Sequence, residues 1–255
     1  MSECKLLMGD CIKKMREIGV GCVDLIITSP PFNLGIVYEG SGHDDRLPIK
    51  EYRQFAGEAM YWLYYVLKEG GRACVEIGGS GRNAPFSWIW QDAAYAAGFG
   101  LFSEIAIQHR KTNPTAWGSY LKADAVYTVP NFHMLYVFYK VSERKVGIET
   151  TITKDEFVEW TRGYWKINYS GGGERLHPAQ FPLSIPVRCM KLFGHKGDLV
   201  LDPFLGSGTT GVAAYKLQRD FIGIEMSPVY YELARKNIEG ARSQISLFDM
   251  VDEEE

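Results

Sequence analysis

Leu201-Asp202-Pro203-Phe204-Leu205-Gly206-Ser207-Gly208-Thr209-Thr210-Gly211 is the stretch whose reading decides the fold. The apolar run 198–201 leading into it reads as a buried strand of a parallel sheet, and 212–217 beyond it as a helix. Between them, Gly206, Gly208 and Gly211 let the backbone turn sharply and approach a bound cofactor, with free N–H groups of the helix start facing it. The next run, Asp220-Phe221-Ile222-Gly223-Ile224, reads as a second strand and ends in Glu225. An acid at that strand end is placed to accept hydrogen bonds from ribose hydroxyls. An adenine-nucleoside cofactor is therefore expected here.

The kind of cofactor follows from what flanks the glycines. A phosphate loop for ATP needs Gly-Lys-Ser/Thr, and here Gly208 is followed by Thr209-Thr210. A dinucleotide fits the glycine spacing, but a carboxylate at Asp202 would repel its pyrophosphate and suits a cationic ligand instead. S-adenosylmethionine carries a sulfonium and an ammonium group and meets that condition. On this reading Asp202→Ala and Glu225→Ala each weaken cofactor binding and leave the fold intact.

A second informative stretch lies near the start of the chain. The run 23–27 reads as a buried strand, and it ends in Thr28-Ser29-Pro30-Pro31-Phe32-Asn33. Two prolines cannot continue a strand ladder; they hold a stiff loop whose carbonyls are left for other partners. Phe32 adds a flat apolar face that either stacks on a ligand or tucks into the core. Before this, 5–8 reads as a strand and 11–18 as a helix with Asp10 as its N-cap. Further on, 49–68, 86–97 and 182–193 read as helices, and 72–77, 101–108 and 132–139 as strands. The stretch 141–175 has no clear period and is expected to be an insertion outside the core.

Composition bounds the class. The 255-residue chain is 46% hydrophobic and 23% charged, ordinary for a globular α/β domain with an insertion. No segment reads as a signal peptide or a membrane span. The five cysteines are odd in number, scattered and without Cys-x-x-Cys pairing, which fits a reducing cytoplasm with no disulfide framework and no structural metal. The net charge of −3 hides a segregation, because 249–255 holds five acids and is expected to be a disordered tail. Between 105 and 145, Arg110, Lys111, Lys122, Lys140, Arg144 and Lys145 outnumber Asp124 and Glu143, a balance compatible with phosphate contacts.

Taken together, the two loops resemble the S-adenosylmethionine-dependent amino-methyltransferases of DNA, in the permuted beta-class order. Ser29-Pro30-Pro31-Phe32 matches their catalytic Ser/Asp/Asn-Pro-Pro-aromatic loop, and Asp202 to Thr210 matches their cofactor loop. Gly9-Asp10, 67–71, His177-Pro178-Ala179-Gln180-Phe181-Pro182 and 221–225 are further matching pieces, so the likeness runs from about 6 to 238. Met134 departs from the pattern, where relatives often carry an acid.

The resemblance implies a doubly wound, mostly parallel seven-stranded sheet forming one domain over 1–248, with target recognition within 109–175. It implies cofactor contacts from Asp10, Cys11, His177, Pro178, Phe181, Asp202, Phe204, Gly206, Ser207, Gly208, Thr209, Thr210 and Glu225. The DNA contacts it suggests are Arg110, Lys111, Trp117 and Lys122. The implied substrate is double-stranded DNA with the target base flipped out. A companion restriction endonuclease, and a monomer or homodimer, are compatible with it. A serine before the two prolines usually accompanies methylation of cytosine N4 in that family, and aspartate or asparagine that of adenine N6. Cytosine is thus the first expectation and adenine the second. A nicotinamide-dependent oxidoreductase is a remote alternative that leaves Ser29 to Phe32 without a role.

Overall fold

The computed structural model describes residues 3–38, 44–78, 87–109, 117–118, 124, 126–127, 132–147, 149–167 and 182–251. Among these, β1 (Cys4–Met8), β2 (Val23–Thr28), β3 (Leu67–Ile77), β4 (Phe99–His109), β7 (Phe132–Lys140), β8 (Tyr164–Ile167), β9 (Leu199–Asp202) and β10 (Asp220–Glu225) form one sheet. Its spatial order is β1-β10-β9-β2-β3-β7-β4-β8. The strands from β1 to β3 are mutually parallel, while β7 runs antiparallel to both β3 and β4.

Helices cover both faces, as continuous apolar strands require. On one face α1 (Cys11–Glu17), α2 (Ile49–Val66) and α3 (Ser87–Ala97) bury Met15, Leu63 and Trp90. On the other, α5 (Ser184–Phe193), α6 (Thr209–Lys216) and α7 (Pro228–Val251) bury Met190, Ala214 and Ile238. The expected doubly wound α/β fold is present.

The element that positions everything functional is the pairing of β2 with β9, through Leu25 opposite Val200 and Ile26 opposite Leu201. From β2 the chain proceeds through α2 to β3 on one side; from β9 it proceeds through α6 to β10 on the other. Strand order therefore reverses between β2 and β9, and the carboxyl ends of such a pair frame the crevice where open α/β sheets bind ligands.

Several expectations need correction. The sheet has eight strands, not seven, and the additional one is β8, from the stretch expected to lie outside the core. Its four residues pair parallel with β4, and Trp165 and Ile167 are buried among α5, β4 and β7. The Trp165 indole N–H donates to the Trp160 carbonyl at 2.8 Å, and the Arg188 guanidinium sits 5.1 and 5.2 Å from the Trp160 and Trp165 rings. Trp160 ends α4 (Lys154–Trp160), which starts with a capping box at Thr153 and Glu156. Among the described residues, the short ladder of β5 (Trp117–Gly118) and β6 (Val126–Tyr127) and an isolated bridge between Val37 and Asp44 stand apart from the main sheet.

At its other end α2 stops at Val66, two residues early. β3 starts at once, with a bulge where Gly70 adopts φ 74° and the register slips between Val23 and Leu25. The helix α7 takes in Asp249, Met250 and Val251, the first residues of the expected tail, while 252–255 lie outside the described residues.

If 164–167 belongs to the core, Trp165→Ala should cost about 3–5 kcal/mol of unfolding free energy. Urea denaturation measures it, and a change within about 0.5 kcal/mol would return the stretch to the surface class.

Candidate functional site

A cavity of about 250 Å³ opens at the carboxyl ends of β2, β9, β10 and β1. Both informative loops face it. Ser29, Pro30, Pro31 and Phe32 form one wall, Phe204, Gly206, Ser207 and Thr209 another, and Asp10, Cys11 and Glu225 a third. Residues 29 and 225 lie far apart in sequence; the order β1-β10-β9-β2 brings them around one cavity.

Local geometry explains each position. The Asp10 side chain caps α1 by accepting from the Lys13 N–H at 3.0 Å, so the expected cap is present. Glu225 ends β10 and accepts from the Gly206 N–H and the Ser227 N–H, both at 2.8 Å. Burial pushes its carboxyl pKa up, against the lowering effect of those backbone donors. Cys11 is buried, and its thiol is pushed up to about 12 by burial first and by the Asp10 charge second. A thiol so protonated does not serve as a nucleophile.

Asp202 differs from its expectation. It is wholly buried and does not line the cavity. One carboxylate oxygen accepts from the Thr28 hydroxyl at 2.7 Å and the Phe204 N–H at 3.1 Å, the other from the Thr210 hydroxyl at 2.6 Å. It holds the two loops together behind the wall rather than meeting a ligand in front of it. Thr210 likewise stands behind the wall. So does Gly208: at φ 86° it packs on α7, where an added Cβ would lie 2.9 Å from Ala234. The third glycine, Gly211, is also a packing residue, with Ile238 at 2.4 Å from such a Cβ.

Phe32 is partly buried and meets the ring of His133 edge-on, with centroids 5.5 Å apart at 86°. His133 Nδ1 lies 2.9 Å from the buried Glu76 Oε1. Gly78 leaves room for both rings, since a Cβ there would come within 2.6 Å of each. After Phe32, Asn33 takes φ 60° and exchanges two hydrogen bonds with the Leu47 backbone, at 3.0 and 2.6 Å.

Some lining residues escaped the sequence reading. Tyr52 and Phe55 reach the cavity from α2, although their helical spacing marks them only as core. Asp44, Asp45 and Tyr38 reach it from the loop after Asn33. Asp45 Oδ1 accepts from the Gly35 and Ile36 N–H groups at 2.6 and 2.7 Å, a loop-bracing bond with no signature in sequence. Of the remaining expected site residues, His177, Pro178, Phe181, Arg110, Lys111 and Lys122 lie outside the described residues, and Trp117 opens the short strand β5. No cluster of potential metal ligands occurs among the described residues.

The fold and this arrangement of loops define a doubly wound domain of the class I methyltransferase type. The chain belongs to the N6/N4 DNA methylase family, whose model, described as DNA methylase, matches residues 23–236. It is 30% identical over 268 residues to the Type II methyltransferase M.MjaI of Methanocaldococcus jannaschii, covering 87% of this chain and 86% of that one. With M.BglI of Bacillus subtilis it shares 42% identity over 152 residues, which is 59% of this chain but only 42% of that relative's length. Among solved structures, a candidate DNA modification methylase from Thermus thermophilus complexed with S-adenosyl-L-methionine is similar, with a TM-score of 0.71 and 25% identity over 93% of this chain and 95% of that one. The cytosine-N4-specific PvuII DNA methyltransferase shares the fold at a TM-score of 0.71 and 21% identity, covering 93% of this chain and 86% of its own.

The Asp202 geometry gives a pH test. Its carboxyl is raised from 3.8 to about 6, burial outweighing the three donors. The folded state then keeps a proton that the unfolded chain has already lost. This group accordingly makes the protein less stable as pH rises through that window, and the loss is complete above it. Asp202→Asn should remove this downward slope in denaturation experiments run across the window. Asp202→Ala orphans two buried threonine hydroxyls and should cost about 1–3 kcal/mol for each. An alanine variant as stable as the parent would reinstate Asp202 as a ligand group only.

Proposed function

We propose that the chain transfers a methyl group from S-adenosylmethionine to an exocyclic amine of a base in DNA, with cytosine N4 as the acceptor. The observation that carries the reading is the shared cavity, in which the Pro-Pro loop and the glycine loop face each other from neighbouring strand ends. Its electrostatics support a cationic cofactor. Asp10, Asp44, Asp45 and Glu225 line it, and no Lys, Arg or His does so among the described lining residues. A pyrophosphate would face the charge of these acids with no basic side chain among them to offset it, whereas a sulfonium and an ammonium are favoured.

In this reading Glu225 and Asp10 hold the adenosine end, and Gly206 and Ser207 present backbone to it. An amine on a base edge is inaccessible inside a duplex, so the base is flipped into the cavity. Its lone pair is delocalised into the ring and is weakly nucleophilic. The Ser29 hydroxyl and the Pro30 carbonyl accept the two amine hydrogens and direct the lone pair at the methyl carbon. The new N–C bond forms as the S–C bond breaks, the sulfur takes that electron pair and becomes neutral, and the methylated nitrogen then loses a proton. The same two oxygens stabilise the positive charge growing on nitrogen. Phe32 stacks on the flipped base, a contact worth about 1–3 kcal/mol.

Cytosine is favoured over adenine because Ser29 stands before the prolines and because a pyrimidine needs less room beside Phe32. Adenine N6 is the second reading, with the same residues in the same roles. Contacts to DNA phosphates are assigned to Arg110, Lys111 and Lys122, target discrimination to 109–175, and closure over the methionine end to His177, Pro178 and Phe181. The Type II relatives make a companion restriction endonuclease a natural partner.

Digestion of methylated DNA to nucleosides, followed by mass spectrometry, tests the product. N4-methyldeoxycytidine is expected, and label on deoxyadenosine alone would overturn the choice of base but not the reaction. Phe32→Ala should lose at least about tenfold in transfer rate with cofactor affinity retained, while Phe32→Trp keeps most activity. An active alanine variant beside an unfolded Trp variant would assign Phe32 to the core.

A further inference from the structure

We propose that Tyr52 is a positioning residue that sets the catalytic geometry of the Pro-Pro loop through its bond to the Pro31 carbonyl; this rests on the methyl-transfer reading above. The Tyr52 hydroxyl donates to that carbonyl at 2.7 Å and accepts from the Trp90 indole N–H at 2.9 Å. The direction of both bonds is set by chemistry. An indole N–H can only donate, so the single hydroxyl proton of Tyr52 points at Pro31.

The consequence follows from the backbone. Proline rings fix φ at residues 30 and 31, which leaves the two ψ angles as the soft torsions of this segment. The ψ of Pro31 swings its carbonyl, and with it the peptide plane that aims Phe32. Both ends of the loop are already pinned, by Thr28 on Asp202 and by Asn33 on Leu47. Tyr52 pins the middle. It also engages the Pro31 carbonyl, leaving the neighbouring Pro30 carbonyl as the acceptor proposed for the amine.

Tyr52 is itself rigid. It and Trp90 are at most 1% exposed. Trp90 packs edge-on against Phe55 and against Phe204 of the glycine loop, with centroids 6.1 and 6.5 Å apart. The same aromatic group thus supports the cofactor loop and, through one hydroxyl, the catalytic loop.

The test uses the full chain, S-adenosylmethionine and duplex DNA carrying a site the parent protein methylates. Methyl transfer by the parent at all is the control for the reaction itself, so its absence would count against the proposed function and not against Tyr52. Tyr52→Phe should fold, bind S-adenosylmethionine within about twofold of the parent, and transfer methyl in single turnovers at least about tenfold more slowly, as misplaced reactants do. Trp90→Phe leaves the Tyr52–Pro31 bond in place and should lose less. Because Trp90 reaches the Pro-Pro loop through Tyr52, the double variant should lose less than the product of the two single losses, any remainder coming from the Trp90–Phe204 contact. The inference is overturned by a Tyr52→Phe protein that transfers at the parent rate or loses cofactor affinity in the same proportion. Strictly additive losses, or failure of Tyr52→Phe to fold, would equally assign the side chain to core packing.

Discussion

The carboxylate of Asp202 is the constraint on which the rest of the site depends. It lies at the end of β9 and accepts hydrogen bonds from the hydroxyls of Thr28, at the end of β2, and Thr210, in the first turn of α6. One side chain thereby ties the strand that launches the Pro-Pro loop to the helix that follows the glycine loop. Burying an acid is costly, and its raised pKa records that cost. Three donors offset it, two of them hydroxyls that would themselves be orphaned without the carboxylate.

A second constraint is electrostatic. Glu225 keeps both oxygens bonded to backbone N–H groups of the very loops that surround the cavity, so it braces the glycine turn while presenting charge beside it. With four acids and no basic side chain among the described lining residues, the cavity is built for a cation rather than a phosphate. That is the reason the glycine spacing, ambiguous by itself, does not lead to a dinucleotide.

What could be read in the sequence was what backbone chemistry demands. Consecutive prolines after an apolar run, and glycines between a strand and a helix, announce loops whatever surrounds them, and both were found where expected. Side-chain direction was less legible. Asp202 sits at a strand end, as anticipated, but along β9 it shares a face with Val200, which packs with Ala213 and Ala214 of α6. It therefore points at Thr210, away from the cavity. Strand β8 escaped because four residues are too few to show a period in an otherwise aperiodic sequence. Tyr52 was recognisable as a buried helical residue, yet nothing in its spacing shows a hydroxyl reaching the Pro31 carbonyl 21 positions earlier.

The order of the two loops along the chain has no bearing on the chemistry, and the sheet shows why. β1 lies against β10, and the Gly9 N–H donates to the Glu225 carbonyl at 2.8 Å, so Asp10 and Glu225 are spatial neighbours despite their separation in sequence. The cofactor side of the site needs only β1, β10, β9 and β2 in that spatial order. The strands β7, β4 and β8 extend the sheet from β3 toward the opposite edge, and the segment proposed for target recognition, 109–175, itself contributes β7 and β8. The buried threonine–carboxylate link draws on residues of β2, β9 and α6, none of them in that segment. A layout of this kind would let a DNA-reading segment diverge while the cofactor loop is held by packing, the division of labour that the proposed function assigns to the two sides of the sheet.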